Sequence, residues 1–417
     1  MSEMAALSKY YSEIMKSHNV TCAYVLHPDE SCTYFLLKTI PITLFRTAQF
    51  FVPLYFLPML ANSKNFTKEK LYDVLKVFVS SVIAGGSTVY GAFLSICLLS
   101  NLIGHTSFWT LIPIPAMAGG FTIFMATEKV HGFFCHAVSF ITFDILVRDG
   151  SLWPLRMLKT YRSLRTIFFM ILSGIIVDSM YLNGDSIIWL FKPLRKYKPK
   201  IENDISSNKT KPFDQHHICD HKRISCKSYI LQVFRTYLML GMALEILKSL
   251  FSNFGAILKN PLTGWFYIIK HIKPNFLLFV SLYPTLTESI NCMLNNWLQR
   301  STRLNQDISA ILGGLPFYFC ADELQILAHT FITAIEAIWH RYKLYSDPTT
   351  QTYQWLTKIP FAKIAFIFGG SYMYTARLFY PWIAPKFLQR LMMLITNNKF
   401  DVIGERVHSL WIPEVII

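Results

Sequence analysis

Residues 77–104 read VFVSSVIAGGSTVYGAFLSICLLSNLIG, and this stretch decides the fold class. It holds no Asp, Glu, Lys or Arg over 28 residues. A helix needs only about 20 apolar residues to cross a hydrocarbon core ~30 Å thick. Ser80, Ala84, Ser87, Gly91 and Ser95 recur at steps of three or four, which lays small side chains along one helical face. In lipid, close van der Waals packing replaces the hydrophobic drive between helices, so a small face predicts a tightly packed helix pair. A pore or substrate path is the alternative for such a face.

The same reading extends outward. Residues 108–127 are a further uncharged stretch, carrying Pro113 and Pro115, and 130–146 follows after the charged pair Glu128-Lys129. Residues 42–60 contain Arg46, and 166–182 contain Asp178. The second half offers 229–247 with Arg235 and Glu245, 276–298 with Glu288, the shorter 308–321 and 324–339, and 364–382. The chain is 53% hydrophobic and 16% charged with 34 Phe, too little polar surface to cover a soluble core of this size. Disorder, collagen and coiled coil require other compositions. The expected fold is all-α: a polytopic helical membrane protein built from two related multi-helix repeats.

The repeat rests on one offset. Cys22-x4-His27-x4-Cys32 resembles His216-x4-His221-x4-Cys226, each with Ser before the last Cys, at Ser31 and Ser225. Ile114, Ala116, Gly119 and Gly120 fall 194 positions before Ile308, Ala310, Gly313 and Gly314, and Glu128 falls opposite Asp322. Ala116/Gly120 and Ala310/Gly314 are small-xxx-small pairs, so Ala84, Gly91, Ala116, Gly120, Ala310 and Gly314 are the expected helix-packing positions. With five spans each the halves would be inverted, as in many transporters; with one interfacial segment they would be parallel. The expected organisation is an N-terminal Cys/His segment (1–41), a first transmembrane repeat (42–191), a basic linker with a Cys/His block (192–228), a second repeat (229–383) and a tail (384–417).

The net charge is +15. It concentrates in 148–165 and 192–227, which flank the span at 166–182. If that span crosses, the positive-inside rule cannot orient the protein. Anionic lipid headgroups are the expected partner of the basic loops; nucleic acid is not expected, because no aromatic-interleaved basic module occurs. The first 20 residues carry Glu3, Lys9, Glu13 and Lys16 and do not read as a secretory signal. Asn19, Asn65 and Asn208 head N-x-T sequons.

Two residue sets could carry chemistry. Cys22, His27 and Cys32, with His216, Cys219, His221 and Cys226, supply thiolate and imidazole donors suited to zinc. The x4 spacings differ from a tight CxxC knuckle, so ordinary loop residues or a Cys22–Cys32 disulfide are the competing readings. No cofactor is certain; structural zinc is the one the residues allow. Charges within spans form the second set, since each is costly in hydrocarbon and needs a partner or water. Glu288 and Asn291, with Arg46, are the candidate polar pathway, against the reading of polar groups as interhelical glue. Asp144 and Asp178, near span ends, read as structural. His131 and Cys135 share a helix face and read as packing. Phosphate-loop, nucleophile-elbow and HExxH patterns are missing, so no catalytic residue is assigned and no enzyme is expected.

The Cys/His N-terminus, with His27-Pro28 before Ser31-Cys32, resembles the transmembrane protein 135 family. Pro53-Leu54-Tyr55, Tyr90-Gly91-Ala92-Phe93, the block His216-x2-Cys219-x-His221-x4-Cys226, 308–319 and the tail from Lys386-Phe387-Leu388 to Lys399-Phe400 continue the likeness. The chain has fewer cysteines around the middle block than that family. The family is in turn similar to channel-type subunits of the mitochondrial inner-membrane import machinery. The resemblance implies an integral membrane protein of peroxisomes or mitochondria acting in organelle organisation, the mitochondrial fission–fusion balance and lipid handling. It supplies no catalytic residues. A channel or secondary transporter, and an adaptor recruiting organelle division machinery through basic loops, are the alternatives.

Overall fold

The computed structural model describes residues 2–61, 67–183, 219, 221, 225–259, 273–320 and 323–410. His216, Asp322, the sequons at Asn65 and Asn208, and the basic run 192–200 lie outside them. The described residues are helical, with no strand among them. In chain order the helices are α1 Ser2–Ser17, α2 Cys22–Leu26, α3 Cys32–Ala61, α4 Lys68–Ile103, α5 Phe108–Leu111, α6 Pro113–Gly120, α7 Glu128–Asp149, α8 Trp153–Thr160 and α9 Arg162–Asn183. There follow α10 Cys226–Lys259, α11 Pro274–Leu298, α12 Arg303–Gly313, α13 Glu323–Tyr345, α14 Gln351–Lys358, α15 Phe361–Phe379, α16 Lys386–Ile395 and α17 Lys399–Ser409. One 3-10 segment, Phe121–Met125, follows α6, and another, Leu315–Phe319, follows α12.

Among the described residues, seven segments are long and apolar enough to cross a membrane: Cys32–Phe56, Lys68–Ile103, Phe108–Met125, Val130–Asp149, Arg162–Met180, Cys226–Ile246 and Pro274–Leu298. The expected spans at 308–321, 324–339 and 364–382 are not among them. The first breaks at Gly314-Leu315-Pro316, where α12 gives way to the 3-10 segment. α13 and α15 form as helices, but Glu336, Arg341 and Lys343 in one and Lys363 and Arg377 in the other dilute their apolar runs. Phe108–Met125 is itself discontinuous. Proline cannot donate to a helix ladder, and Pro113 begins a new helix where α5 ends.

The chain packs into two compact units, residues 1–156 with 354–417, and residues 157–353. In the first, α3 packs on α4, α4 on α6, and α15 on α6 and α7. In the second, α10 packs on α11, α11 on α12, and α9 on α12 and α13. Each unit thus runs long helix, long helix, short helix with a 3-10 segment, long helix, and then recruits one more helix from elsewhere in the chain. The packing groups the sequence differently from a simple division into halves: α9, in the expected first repeat, joins the second unit, and α15 joins the first.

Glycines set the closest approaches. A Cβ on Gly91 would lie 3.2 Å from the Gly119 Cα, and one on Gly119 would lie 3.0 Å from the Ala92 backbone nitrogen. Gly120 backs onto Ile367 at 3.2 Å. In the second unit a Cβ on Gly313 would meet the Thr287 Cα and N at 2.9 Å, and one on Gly314 the Met170 Cα at 3.1 Å. Ala84, Ala116 and Ala310 are buried beside these contacts. The tail belongs to the first unit: Leu388 and Met392 of α16 are buried, and Arg406 of α17 donates to the carbonyls of Tyr24 and Val25 at 2.8 and 3.2 Å.

Candidate metal centres

Cys32 and Cys226 each open a long helix. The preceding serine accepts a backbone N–H three residues on, Ser31 from Tyr34 and Ser225 from Ser228, both at 3.3 Å. This is N-capping, and it fixes the cysteine in the first helical turn, where the helix dipole favours a thiolate. The shared Ser-Cys pair therefore has a local physical cause.

In the first unit the segment before α3 is strapped to the far end of α4. The Val20 carbonyl accepts both the backbone N–H and the hydroxyl of Thr106 at 2.7 Å, and the Cys22 N–H donates to Ser100 Oγ at 2.9 Å. This brings Cys22, His27 and Cys32 to Cys97, and their donor atoms all lie within 4.8 Å of one another. Cys22 Sγ is 3.5 Å from Cys32 Sγ, and His27 Nε2 is 3.5 Å from Cys97 Sγ. His27 Nδ1 sits 2.9 Å from the Glu30 carbonyl. A carbonyl only accepts, so Nδ1 carries the proton and Nε2 offers its lone pair to the thiols. Asn101, one turn beyond Cys97, donates to Cys32 Sγ at 3.6 Å. The Cys22 thiol is held well below its usual range, first by the hydrogen bond from Cys97 and then, against burial, by those from Ser100, Cys32 and His27.

The second unit builds the same set. Cys219, His221, Cys226 and Cys292 have donor atoms within 4.8 Å of one another. Cys219 Sγ is 3.9 Å from Cys226 Sγ. Asn296, one turn beyond Cys292, donates to Cys226 Sγ at 3.7 Å. His221 stacks on Tyr229 with ring centroids 4.7 Å apart, and His27 leans on Phe35 at 5.0 Å. Phe35 and Tyr229 are themselves 194 positions apart. Both ring nitrogens of His221 are shielded from solvent and find no hydrogen-bond partner among the described residues.

The two clusters hold six of the seven residues expected from sequence, sorted into two sites, and each adds a cysteine that reading by loop motif missed. Cys97 and Cys292 lie inside apolar runs and read there as core residues. The available signal was Cys97-x3-Asn101 against Cys292-x3-Asn296, offset by 195. All eight cysteines are free, with the Cys22 and Cys32 sulfurs 3.5 Å apart.

The expected pathway residues fall in different units. Arg46 belongs to the first unit and donates to Gln49 at 3.0 Å; Glu288 and Asn291 belong to the second and are 6% exposed. Glu288 Oε2 accepts from the Tyr229 hydroxyl at 3.2 Å, so the carboxylate braces the ring on which His221 stacks. Asp144 pairs with Arg148 at 2.8 Å, and Asp178 pairs with Arg303 and Arg341. Glu245 accepts from the Lys273 N–H at 3.1 Å.

No protein-family model, curated protein or solved structure matches the chain.

Proposed function

We propose that the chain is an integral protein of a peroxisomal or mitochondrial membrane that organises the organelle and handles lipid through helix packing and lipid contact, without catalysis. The observation that carries this reading is the division of side chains on the apolar helices. Large apolar residues such as Val79, Ile83, Leu94, Leu98 and Leu102 on α4 face outward, while the acidic groups Asp144, Asp178 and Glu288 are tied to protein partners. Asp178, bound by arginines of two other helices, and Glu288, bound by the Tyr229 hydroxyl of another helix, act as interhelical glue, while Asp144 is paired within its own helix. An open apolar groove of about 490 Å³, lined by Ile167, Met170, Leu282, Leu286, Leu315 and Phe319, suits an acyl chain of the surrounding bilayer.

The organelle, the fission–fusion role and the two related repeats rest on the family resemblance and on the 194-residue offset. Imaging a tagged full chain beside peroxisomal and mitochondrial markers tests the placement: labelling of either organelle is expected, and exclusive plasma-membrane labelling refutes it. Loss of the protein should alter mitochondrial length or peroxisome number; unchanged organelles refute the role. The channel reading predicts that Glu288→Gln abolishes flux in proteoliposomes, and the adaptor reading that deletion of 192–200 abolishes the organelle effect.

A further inference from the structure

We infer that each unit holds one zinc ion in a closed Cys3His site: Cys22, His27, Cys32 and Cys97 in the first, Cys219, His221, Cys226 and Cys292 in the second. Four arguments converge on a single tetrahedral ion. The first is spacing. Zn–S bonds of about 2.3 Å and Zn–N bonds of about 2.0 Å give a tetrahedron with edges of about 3.5–3.8 Å. Cys22 Sγ–Cys32 Sγ and His27 Nε2–Cys97 Sγ are 3.5 Å apart, and Cys219 Sγ–Cys226 Sγ 3.9 Å. A two-iron, two-sulfide core would hold its two ligand pairs apart, whereas here all four donors lie within 4.8 Å of one another.

The second argument is the outer shell. Ligating histidines ordinarily give their other ring N–H to a carbonyl or carboxylate, as His27 does to Glu30. Asn101 and Asn296 place an amide N–H on the first-turn cysteine of each unit, at 3.6 and 3.7 Å. An N–H donor offsets charge on a thiolate and adds little to a neutral thiol. The third is His221, whose shielded ring nitrogens find no partner among the described residues. A buried polar atom left unsatisfied is costly, and a metal bond at one nitrogen removes part of that cost. The fourth is recurrence: one donor set, with one asparagine N–H on a first-turn cysteine, occurs in two separate units.

All four positions of each tetrahedron are filled by protein, and the Cys22, His27, Cys97 and Cys292 side chains are buried, so no site is left for water or substrate. The ion's role is structural. It locks the capped start of one long helix to the last turns of the next, α3 to α4 and α10 to α11.

The test is metal analysis of full-length protein purified in detergent with a non-histidine tag. Two zinc per chain are expected, falling to one in Cys97→Ser, one in Cys292→Ser and none in the double variant. Should these variants misfold, X-ray absorption at the zinc edge of the wild-type protein gives an independent reading, with three sulfurs and one nitrogen expected per zinc. Fewer than one zinc per chain, iron or copper in its place, mass-spectrometric evidence of Cys22–Cys32 or Cys219–Cys226 disulfides, or a zinc shell without sulfur would overturn the inference.

Discussion

Replacing Gly119 by alanine tests whether the first unit is held by backbone contact between α4 and α6. The added Cβ would stand 3.0 Å from the Ala92 nitrogen and 3.3 Å from the Ala92 Cβ, with the Thr88 carbonyl oxygen nearer still. Ordinary contact begins at 3.4 Å, so the helices must part by at least 3.4 − 3.0 = 0.4 Å. The neighbours are backbone atoms, which cannot rotate aside. A gap of about 0.5 Å forfeits roughly a quarter of each contact's dispersion well. If the separation starves about as many contacts as one buried leucine makes, 40–60 pairs at about 0.1–0.2 kcal/mol each, the loss is about 1–3 kcal/mol. That range agrees with measured overpacking costs of about 1–3 kcal/mol. The control is Gly132→Ala in α7, where an added Cβ meets nothing within 4 Å. There the better helix propensity of alanine should leave stability unchanged or raise it by up to about 1 kcal/mol. Unfolding of the full chain in mixed micelles by titrated SDS, followed by circular dichroism, reads both. If Gly119→Ala is no less stable than Gly132→Ala, the close-packing account of the small face fails.

Other expectations follow from the same geometry. Tyr229→Phe removes the hydroxyl from the buried Glu288 and should destabilise the second unit by about 1–3 kcal/mol, read by the same titration; an unchanged midpoint would mean that the carboxylate is satisfied without it. Asp178→Asn should weaken the joint tie to Arg303 on α12 and Arg341 on α13, and Asp178→Asn combined with Arg341→Gln should cost less than the sum of the two single changes, as a double-mutant cycle reads for residues that share one network. Asn101→Leu, which leaves every proposed ligand in place, should speed zinc transfer to a chromogenic chelator, with roughly 10–100-fold weaker retention at the first site, while Gly132→Ala shows the wild-type rate.

The sequence by itself determined the helical class and most of the membrane-crossing segments, because an uncharged run longer than the bilayer is thick leaves the backbone no alternative but to satisfy its own hydrogen bonds. It also determined the local half of each candidate site. His27 with Cys32, and His221 with Cys226, sit in a loop and a capped first turn whose shape is written in a few consecutive residues. The fourth donor was not legible in that way. Cys97 and Cys292 join their loops only because a helix returns alongside its predecessor, which carries a distant residue back to the same end of the pair. The partnership of α9 with the second unit and of α15 with the first was equally hidden. An apolar helix face fits many partners in lipid, and what selects among them is the fit of particular surfaces: Gly174 against Ile311, Gly369 against Val138 and Thr142, Gly120 against Ile367. The residues 77–104 thus fixed a helix of membrane-crossing length with a small face along it. Only the tertiary structure decided that this face would be filled at Gly91 by Gly119, and that its last turns would carry Cys97 and Asn101 to the histidine and thiols of the chain's first loop.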